Sequence, residues 1–252
     1  MTIDEMVQKG VHLGHQTSRW NPKMEPYIYT KRNGVHIIDL IQTCSQLKTV
    51  SDMLEKYSSQ GKSFLFVGTK RQASGLLAKV AIECNSFYVN QRWLGGMLTN
   101  WKTIKRSLCT LQELEVQEGT EGFQKLPKKE ATTFRKRKER LQKYLGGLKG
   151  MTALPDVVII VGQVEEMNAV LECKKLGITT VTILDTDCDP TLTDLFVAAN
   201  DDSIKSLTLL CNTFLHAIQT GRDRLKDSTP GTTLGRGKTN RAAFKKREVI
   251  RS

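Results

Sequence analysis

Apolar residues recur along the chain with two different periods, and each period predicts a different element. Between residues 41 and 57 they come every three or four positions, which places them on one face of a helix. The residues on this face are Ile41, Cys44, Leu47, Val50, Leu54 and Tyr57. The runs at 63–67 and 157–161 are instead almost continuously apolar. Such runs are typical of strands that are buried on both faces of a sheet.

Similar patterns predict the rest of an alternating series of strands and helices. We expect further helices at 3–9, 71–84, 164–176 and 203–220, and further strands at 34–39, 87–89 and 178–184. Residues 11–34 show neither period and are expected to be irregular. Buried strands that alternate with helices predict an α/β fold, in which a parallel sheet carries helices on both faces.

Residues 102–149 interrupt this alternation with two apolar stripes of helical spacing. The first stripe is Ile104, Leu108, Leu111 and Leu114, and the second is Phe134, Leu141, Leu145 and Leu148. Gly and Pro residues between the stripes predict a turn, so we expect an inserted antiparallel coiled-coil hairpin. The predicted domains are a discontinuous α/β domain at 1–101 and 150–221, the hairpin insertion at 102–149, and a basic, disordered tail at 222–252.

The net charge of +12 is divided unevenly along the 252 residues. Residues 1–101 carry +5, residues 102–149 carry +7 and residues 222–252 carry +7, whereas residues 150–221 carry −7. An excess of basic side chains favours a phosphate-rich partner, either nucleic acid or an anionic membrane. We therefore expect the basic regions to face a polyanion and the acidic region to face solvent or protein.

Composition excludes several classes of protein. Hydrophobic residues make up 39% of the chain, which is too many for a wholly disordered protein. No apolar run approaches the length of about 18 residues that a membrane helix needs. The six cysteines form no CxxC pair, which indicates buried thiols in a reducing compartment. The start of the chain has neither the apolar nor the basic character of a secretory signal or transit peptide.

The acidic loop that follows the strand at 178–184 is the best candidate for catalysis. Asp185, Asp187 and Asp189 alternate as in a calcium loop, but Pro190 stands where such a loop needs Gly, so calcium binding is not expected. Asp185 and Asp187 would also suit a magnesium-dependent phosphohydrolase, which is the best enzymatic alternative. Acids that cap turns and helix starts are the simpler interpretation.

His12 and His15 are the other candidates for a metal site. They are three residues apart, and no other His or Cys lies within 20 residues of them. Because a metal site needs three or four ligands, hydrogen bonding or phosphate contact is the preferred interpretation. No metal and no other cofactor is expected, since the phosphate-loop pattern GxxxxGK[ST] is also absent.

Cations stand beside aromatic residues at 19–32 and 90–102. Aromatic rings can stack on unpaired bases, and Arg can bind phosphates. Lys70 and Arg71 follow a strand and begin a helix, where anions commonly bind. The cations at 135–138 repel one another along a predicted helix, and bound phosphate would relieve that repulsion. The predicted RNA-binding residues are Arg19, Trp20, Lys23, Lys31, Arg32, Lys70, Arg71, Arg92, Trp93, Lys102, Lys105, Arg135, Lys136, Arg137, Lys138, Lys245, Lys246 and Arg247.

Eight short motifs are spread along the chain in a fixed order. They are GVHLGH at 10–15, RWNPKM at 19–24, RNGVHIIDL at 32–40, FVGTK at 66–70, YVNQRWLGGMLTN at 88–100, LPD at 154–156, DTDCDP at 185–190 and ANDD at 199–202. In these motifs the sequence resembles one known family, the universal small-subunit ribosomal protein two. Their order and spacing make the resemblance specific over roughly residues 1–224. Gly162, Asp187 and Ala198 depart from the usual family pattern, and the resemblance does not extend to the tail.

The resemblance implies a flavodoxin-like parallel sheet with the inserted helical hairpin. It implies a structural constituent of the small ribosomal subunit, with no catalytic activity, which binds ribosomal RNA and neighbouring ribosomal proteins. One of these is the largest small-subunit protein, ribosomal protein one. It implies no membrane partner and no homo-oligomer. An acidic docking face at 150–221 for a basic protein is compatible with this role.

The hairpin sequence also bears on the origin of the chain. Residues 126–130 and 143–149 resemble plastid or cyanobacterial forms of the family. We therefore expect a plastid-encoded protein of the chloroplast stroma, with a cyanobacterial-like cytoplasm as the alternative.

Overall fold

A short helix and a small antiparallel sheet open the fold. The computed structural model describes residues 2–119 and 127–227. It places α1 at Ile3–Gln8, β1 at Leu13–Gln16, β2 at Ile28–Arg32 and β3 at Val35–Ile38, with the strand order β1-β3-β2. The expectation that residues 11–34 are irregular is therefore wrong. Because β1 and β2 are largely exposed, they lack the apolar alternation that marks a half-buried strand.

The main sheet has five parallel strands, and the predicted α/β fold class is confirmed. The strands are β4 at Phe64–Val67, β5 at Phe87–Val89, β6 at Val157–Val161, β7 at Thr179–Leu184 and β8 at Leu195–Ala198. Their spatial order is β5-β4-β6-β7-β8, the order of flavodoxin-like sheets. The sequence did not predict β8, because its four residues are too short a run to separate from the loop before it.

Neighbouring residues of the central strands point into opposite layers. The first layer contains α2 at Leu40–Ser59, α3 at Arg71–Glu83 and α7 at Ile204–Asp227, and the second contains α6 at Met167–Leu176. Phe64 and Phe66 pack into the first layer, whereas Leu65 and Val67 pack into the second. Each of these fully buried side chains stabilises the fold by about 1.5–3 kcal/mol. This burial on both faces explains why the strands are continuously apolar.

Two long helices, α4 at Trp101–Glu118 and α5 at Lys128–Leu145, lie side by side. Leu108 of α4 and Leu145 of α5 belong to the second core layer, so the pair is anchored beside the sheet. Glu118 pairs with Lys138, and Glu115 pairs with Lys149, which indicates an antiparallel arrangement. Coiled-coil packing and the proposed domain boundaries remain predictions.

The last described helix is longer than the sequence predicts. α7 continues to Asp227 instead of ending at residue 220, because Gly221 packs against α2 without breaking the helix and Leu225 continues the buried face one turn further. Residues 228–252, which include most of the predicted tail, lie outside the described part of the chain. Within the described part, no helix is both long and apolar enough to cross a bilayer.

Candidate nucleic-acid interface

The turn between β2 and β3 brings cations and an aromatic ring together. Asn33 and Gly34 have φ values of 52° and 77°, which a tight two-residue hairpin turn requires. Lys31 lies opposite His36 in the register, so both side chains share one face. The ring of Trp20 lies 5.2 Å from the ring of His36.

One backbone hydrogen bond holds the segment before Trp20 against this turn, and a second closes a turn within the segment itself. The Thr17 N–H donates to the Gly34 carbonyl at 2.9 Å, and the Arg19 N–H donates to the Gln16 carbonyl at 2.8 Å. Trp20 keeps 38% of its surface exposed. We call Arg19, Trp20, Lys31 and Arg32 the hairpin surface. It combines cations with an accessible ring, which is the composition that single-stranded RNA binders use.

Lys23 belongs to the same segment but already has partners. Its Nζ donates to Asp189 at 2.6 Å and to the Thr191 hydroxyl at 3.1 Å. Desolvation opposes ionisation of Asp189, but the bonds from Lys23 and Thr191 outweigh it and lower the pKa of Asp189 to about 2. Lys23 therefore ties this segment to the loop after β7.

A cleft of 610 Å³ opens at the carboxyl ends of β4, β5 and β6. Each strand contributes residues from the loop that follows it: Thr69 and Arg71, Gln91 and Arg92, and Glu165 and Glu166. Arg71 and Arg92 are exposed, and both line this cleft. The structure thus brings together two predicted RNA-binding cations that are about twenty residues apart.

Trp93 lies behind this cleft and serves the fold. It is 7% exposed, and its indole N–H donates to Glu172 at 3.0 Å. The same carboxylate accepts the backbone N–H groups of Gly96, Leu98 and Thr99 at 2.8–3.0 Å. Burial opposes ionisation of Glu172, but these bonds prevail and lower its pKa. Sequence reasoning missed Glu172, since an acid within a predicted helix reads as a solvated residue.

Lys70 is likewise used inside the protein. Its Nζ lies 2.7 Å from Asp201, 2.9 Å from Asp202 and 3.6 Å from Glu165. Burial opposes the charged form of Lys70, but these carboxylates outweigh it and raise the Lys70 pKa. Burial raises the pKa of Asp201 to about 7, although Lys70 partly offsets that effect. Lys70 joins the end of β4 to the start of α7 and is poorly placed for RNA.

His15 completes this acidic cluster. Its Nδ1 lies 3.0 Å from Asp185, and the hydrogen bond to Asp185 is the main reason that the His15 pKa rises to about 9. His15, Asp185 and Asp201 each offer a ligand atom within 4.8 Å of the others, so they could hold a divalent metal ion. His12, which the sequence pairs with His15, is outside this group. Within the protein itself, His15 and Lys70 already supply positive charge to these carboxylates.

The cations of α4 and α5 fall into two groups. Arg135 and Lys138 lie against Glu118 of α4, so the protein itself relieves part of the repulsion expected at 135–138. Lys102, Lys105, Lys136 and Arg137 are exposed. We call these four residues the helix-pair surface. Lys245, Lys246 and Arg247 lie outside the described residues.

Comparison with known proteins identifies the chain. The family profile described as Ribosomal protein S2 matches residues 6–221. The chain is 63% identical over 227 residues to the small ribosomal subunit protein uS2c of Oltmannsiellopsis viridis, covering 90% of this chain and 95% of that protein. The chain belongs to the ribosomal protein S2 family.

Two further relatives of this S2 chain come from an alga and a cyanobacterium. It is 55% identical over 222 residues to uS2c of Chlorella vulgaris, which covers 88% of this chain and 83% of that protein. It is 54% identical over 222 residues to uS2 of Nostoc punctiforme, which covers 88% of this chain and 84% of that protein. The plastid relatives confirm the predicted plastid assignment, and the cyanobacterial relative matches the alternative that the sequence also offered.

Membership of the ribosomal protein S2 family confirms the predicted role. The protein is a structural component of the small ribosomal subunit and is not an enzyme. The phosphohydrolase hypothesis for Asp185 and Asp187 is therefore abandoned. The fold uses Asp185 differently, since its carboxylate binds His15 and accepts the Thr186 N–H at 2.5 Å, which shapes the loop after β7.

Proposed function

We propose that this S2 protein joins the small subunit by binding ribosomal RNA through exposed cations on three surfaces. These are the hairpin surface, the cleft with Arg71 and Arg92, and the helix-pair surface. The hairpin surface carries the proposal, because Lys31 shares a face of the hairpin with His36, and the ring of His36 contacts the exposed ring of Trp20. The proposal does not rest on Lys70 or Trp93, which have partners inside the protein.

The binding mechanism is neutralisation of phosphates, with limited reading of bases. Each phosphate contact adds about 0.7–0.9 to the slope of log affinity against log salt concentration. Helical RNA offers its shape and backbone, whereas unpaired bases can stack on an exposed ring such as Trp20. The cations therefore determine the salt dependence, and Trp20 adds affinity that does not depend on salt.

Salt-dependent filter binding of the full chain to small-subunit ribosomal RNA tests this proposal. The double variant Lys31→Gln/Arg32→Gln removes two phosphate contacts and should lower the slope by roughly 1.5. Lys174→Gln/Lys175→Gln is the matched control, since it removes the same charge from exposed positions in the acidic region. We expect the control to keep the slope of the wild type.

Equal slopes for the hairpin variant and the control would contradict the proposal.

The same measurement on Lys136→Gln/Arg137→Gln tests the helix-pair surface, since both side chains are exposed on α5. Trp20→Leu should weaken binding by about 1–3 kcal/mol and leave the slope unchanged, because stacking releases no counterions. Failure of the wild type to co-sediment with small subunits at moderate salt would remove the proposal altogether.

The acidic region supports a second set of contacts, with proteins. Residues 150–221 carry −7, and Asp202, which lies outside the cleft of Arg71 and Arg92, keeps about half of its side-chain surface exposed. We propose that this region faces neighbouring ribosomal proteins, including ribosomal protein one, and that the free chain is a monomer. Carbodiimide cross-linking in assembled subunits should join these acids to protein lysines. The absence of any cross-link from these acids to a neighbouring protein, or a dimer mass by light scattering, would contradict these proposals.

A further inference from the structure

The strand order creates a natural binding place at the cleft. β5 lies on one side of β4, and the next strand along the sheet, β6, lies on the other. The connections after β4 and β6 therefore leave the sheet in opposite directions. In open α/β sheets, ligands bind in the crevice that such a reversal opens outside the carboxyl ends of the strands. The cleft of 610 Å³ occupies this position.

The positive side of the cleft suits a single phosphate group. Arg71 and Arg92 line it, and in the part of the chain that the structure describes neither guanidinium has an ion-pair or hydrogen-bond partner. α3 begins at Arg71 without a side-chain cap, so backbone N–H groups of its first turn are also unsatisfied by side chains. Guanidinium groups beside free backbone N–H groups form a strong phosphate site.

The opposite side of the cleft carries carboxylates, which limits what can bind. Glu166 is 1% exposed and accepts the Thr69 N–H at 2.8 Å. Glu165 lies at the cleft with 46% of its side chain exposed. A chain of phosphates would be repelled there, whereas a base that carries an amino group can donate to a carboxylate. The amide of Gln91 offers further donors and acceptors on the same wall.

We propose that this cleft receives one unpaired RNA nucleotide, with its phosphate at Arg71 and Arg92 and its base edge at Glu165. This inference rests on the proposed function and names the RNA element that one of its surfaces takes. The volume is adequate, because pockets of about 300–1,000 Å³ enclose ligands of nucleotide size or larger. Trp93 is buried and forms part of the cleft wall, so its ring is not open for a base to stack on. The base is therefore recognised through hydrogen bonds to its edge. Cytosine, adenine and guanine are favoured over uracil, which lacks an amino group.

A heteronuclear NMR titration of the full chain tests the proposal with 5′-CMP, 5′-UMP and inorganic phosphate as probes. We expect CMP to bind saturably, with shifts centred on the amides of residues 69–71 and 91–93. CMP should bind about threefold or more tightly than UMP. Arg71→Gln and Arg92→Gln should each weaken CMP about fivefold or more.

Two further variants separate the parts of the site. Glu165→Ala should abolish the preference for CMP over UMP without weakening the binding of inorganic phosphate, since it removes only a negative charge from the cleft. Lys136→Gln is the matched control, since it removes an exposed cation from α5, and it should bind CMP as the wild type does. Thermal melts equal to that of the wild type would show that the variants fold. Shifts by CMP that spread over other surfaces, or no loss in the arginine variants, would overturn the proposal.

Competition distinguishes an RNA site from a site for free nucleotides. A short single-stranded oligocytidine should displace CMP, and a duplex of the same length should not. If neither displaces CMP, the cleft binds free nucleotides and the inference is wrong. If CMP fails to bind while the hairpin surface still controls the salt dependence of RNA binding, this inference fails and the proposed function survives.

Discussion

At the scale of single residues, the role of a side chain depends on which distant partner reaches it. Lys70 stands where a helix follows a strand, and Trp93 belongs to a segment of cations and aromatic residues, so the sequence assigns both to RNA. In the fold, Lys70 bonds to Asp201 and Trp93 bonds to Glu172. A hydrogen bond to a charged partner contributes about 1.5–3 kcal/mol, enough to fix both side chains inside the protein.

Substitution of Glu172 tests whether a distant partner fixes the position of Trp93 and its loop. Glu172→Gln removes the charge that three backbone N–H groups and an indole N–H share, so we expect a loss of about 1–3 kcal/mol in the free energy of unfolding. Chemical denaturation measures it, and Glu113→Gln, an exposed change of the same kind on α4, should have little effect.

The pH dependence gives this prediction a second readout. The folded protein lowers the pKa of Glu172. The stabilisation is therefore complete above the ordinary glutamate pKa of about 4.3 and is lost as the pH falls through the lower folded pKa. The difference between wild type and Glu172→Gln should accordingly shrink in acid. A difference that stays constant with pH would show that the charge of Glu172 does not organise the loop.

At the scale of elements, α2 and α7 pack with their backbones in close contact. Gly221 of α7 lies against the backbone carbonyl of Glu55, and Arg224 pairs with the Glu55 side chain. The Ser58 hydroxyl donates to the Ile218 carbonyl at 2.6 Å across the same contact. Since a Cβ at residue 221 would overlap backbone atoms, this approach requires glycine.

Gly221→Ala should therefore destabilise the protein although alanine is the better helix former. Overlap with backbone atoms cannot be relieved by a rotamer change, and we expect a cost of about 1–3 kcal/mol in unfolding free energy. Gly75→Ala within α3 is the control, since nothing lies within 4 Å of the added Cβ. It should stabilise the protein by about 0.5–1 kcal/mol. A stabilising Gly221→Ala would mean that the two helices separate without loss.

At the scale of the whole molecule, charge divides the chain into basic and acidic regions, for which we propose different partners. The acidic residues 150–221 supply three of the five parallel strands and the cluster around Lys70 and His15. Asp185, Asp201 and Glu166 of this region are buried, so part of its negative charge is not presented at the surface. Basic segments before and after this region remain available for RNA.

Removing residues 228–252 tests how much the basic residues of this segment contribute to RNA binding. The deletion takes away seven basic side chains and one acidic side chain. Because each lost phosphate contact lowers the salt slope by about 0.7–0.9, we expect the truncated chain to bind ribosomal RNA with a clearly smaller slope. Filter binding across a salt series measures it. An unchanged slope would show that Lys245, Lys246 and Arg247 make no phosphate contact.

The sequence by itself determined the fold class, most helices and central strands, the blocks of charge and the family. These features depend on periodic burial, on composition and on ordered motifs, which are all local properties. The sequence did not predict β1 and β2, because these exposed strands have no apolar alternation, and it did not predict β8, because that strand is short.

Only the tertiary structure decided which cations face outward. Lys70 and Asp201 are 131 residues apart in the chain, and Trp93 and Glu172 are 79 apart. The first pairing follows from parallel strands whose carboxyl ends meet at one edge of the sheet, and the second follows from the packing of α6 beside the loop after β5. No local pattern records either pairing. The carboxyl edge of the sheet also brings Arg71 and Arg92 to one cleft. Under the proposed function, a cation at this edge serves the fold where a carboxylate from a distant segment pairs with it, and is available to RNA where none does.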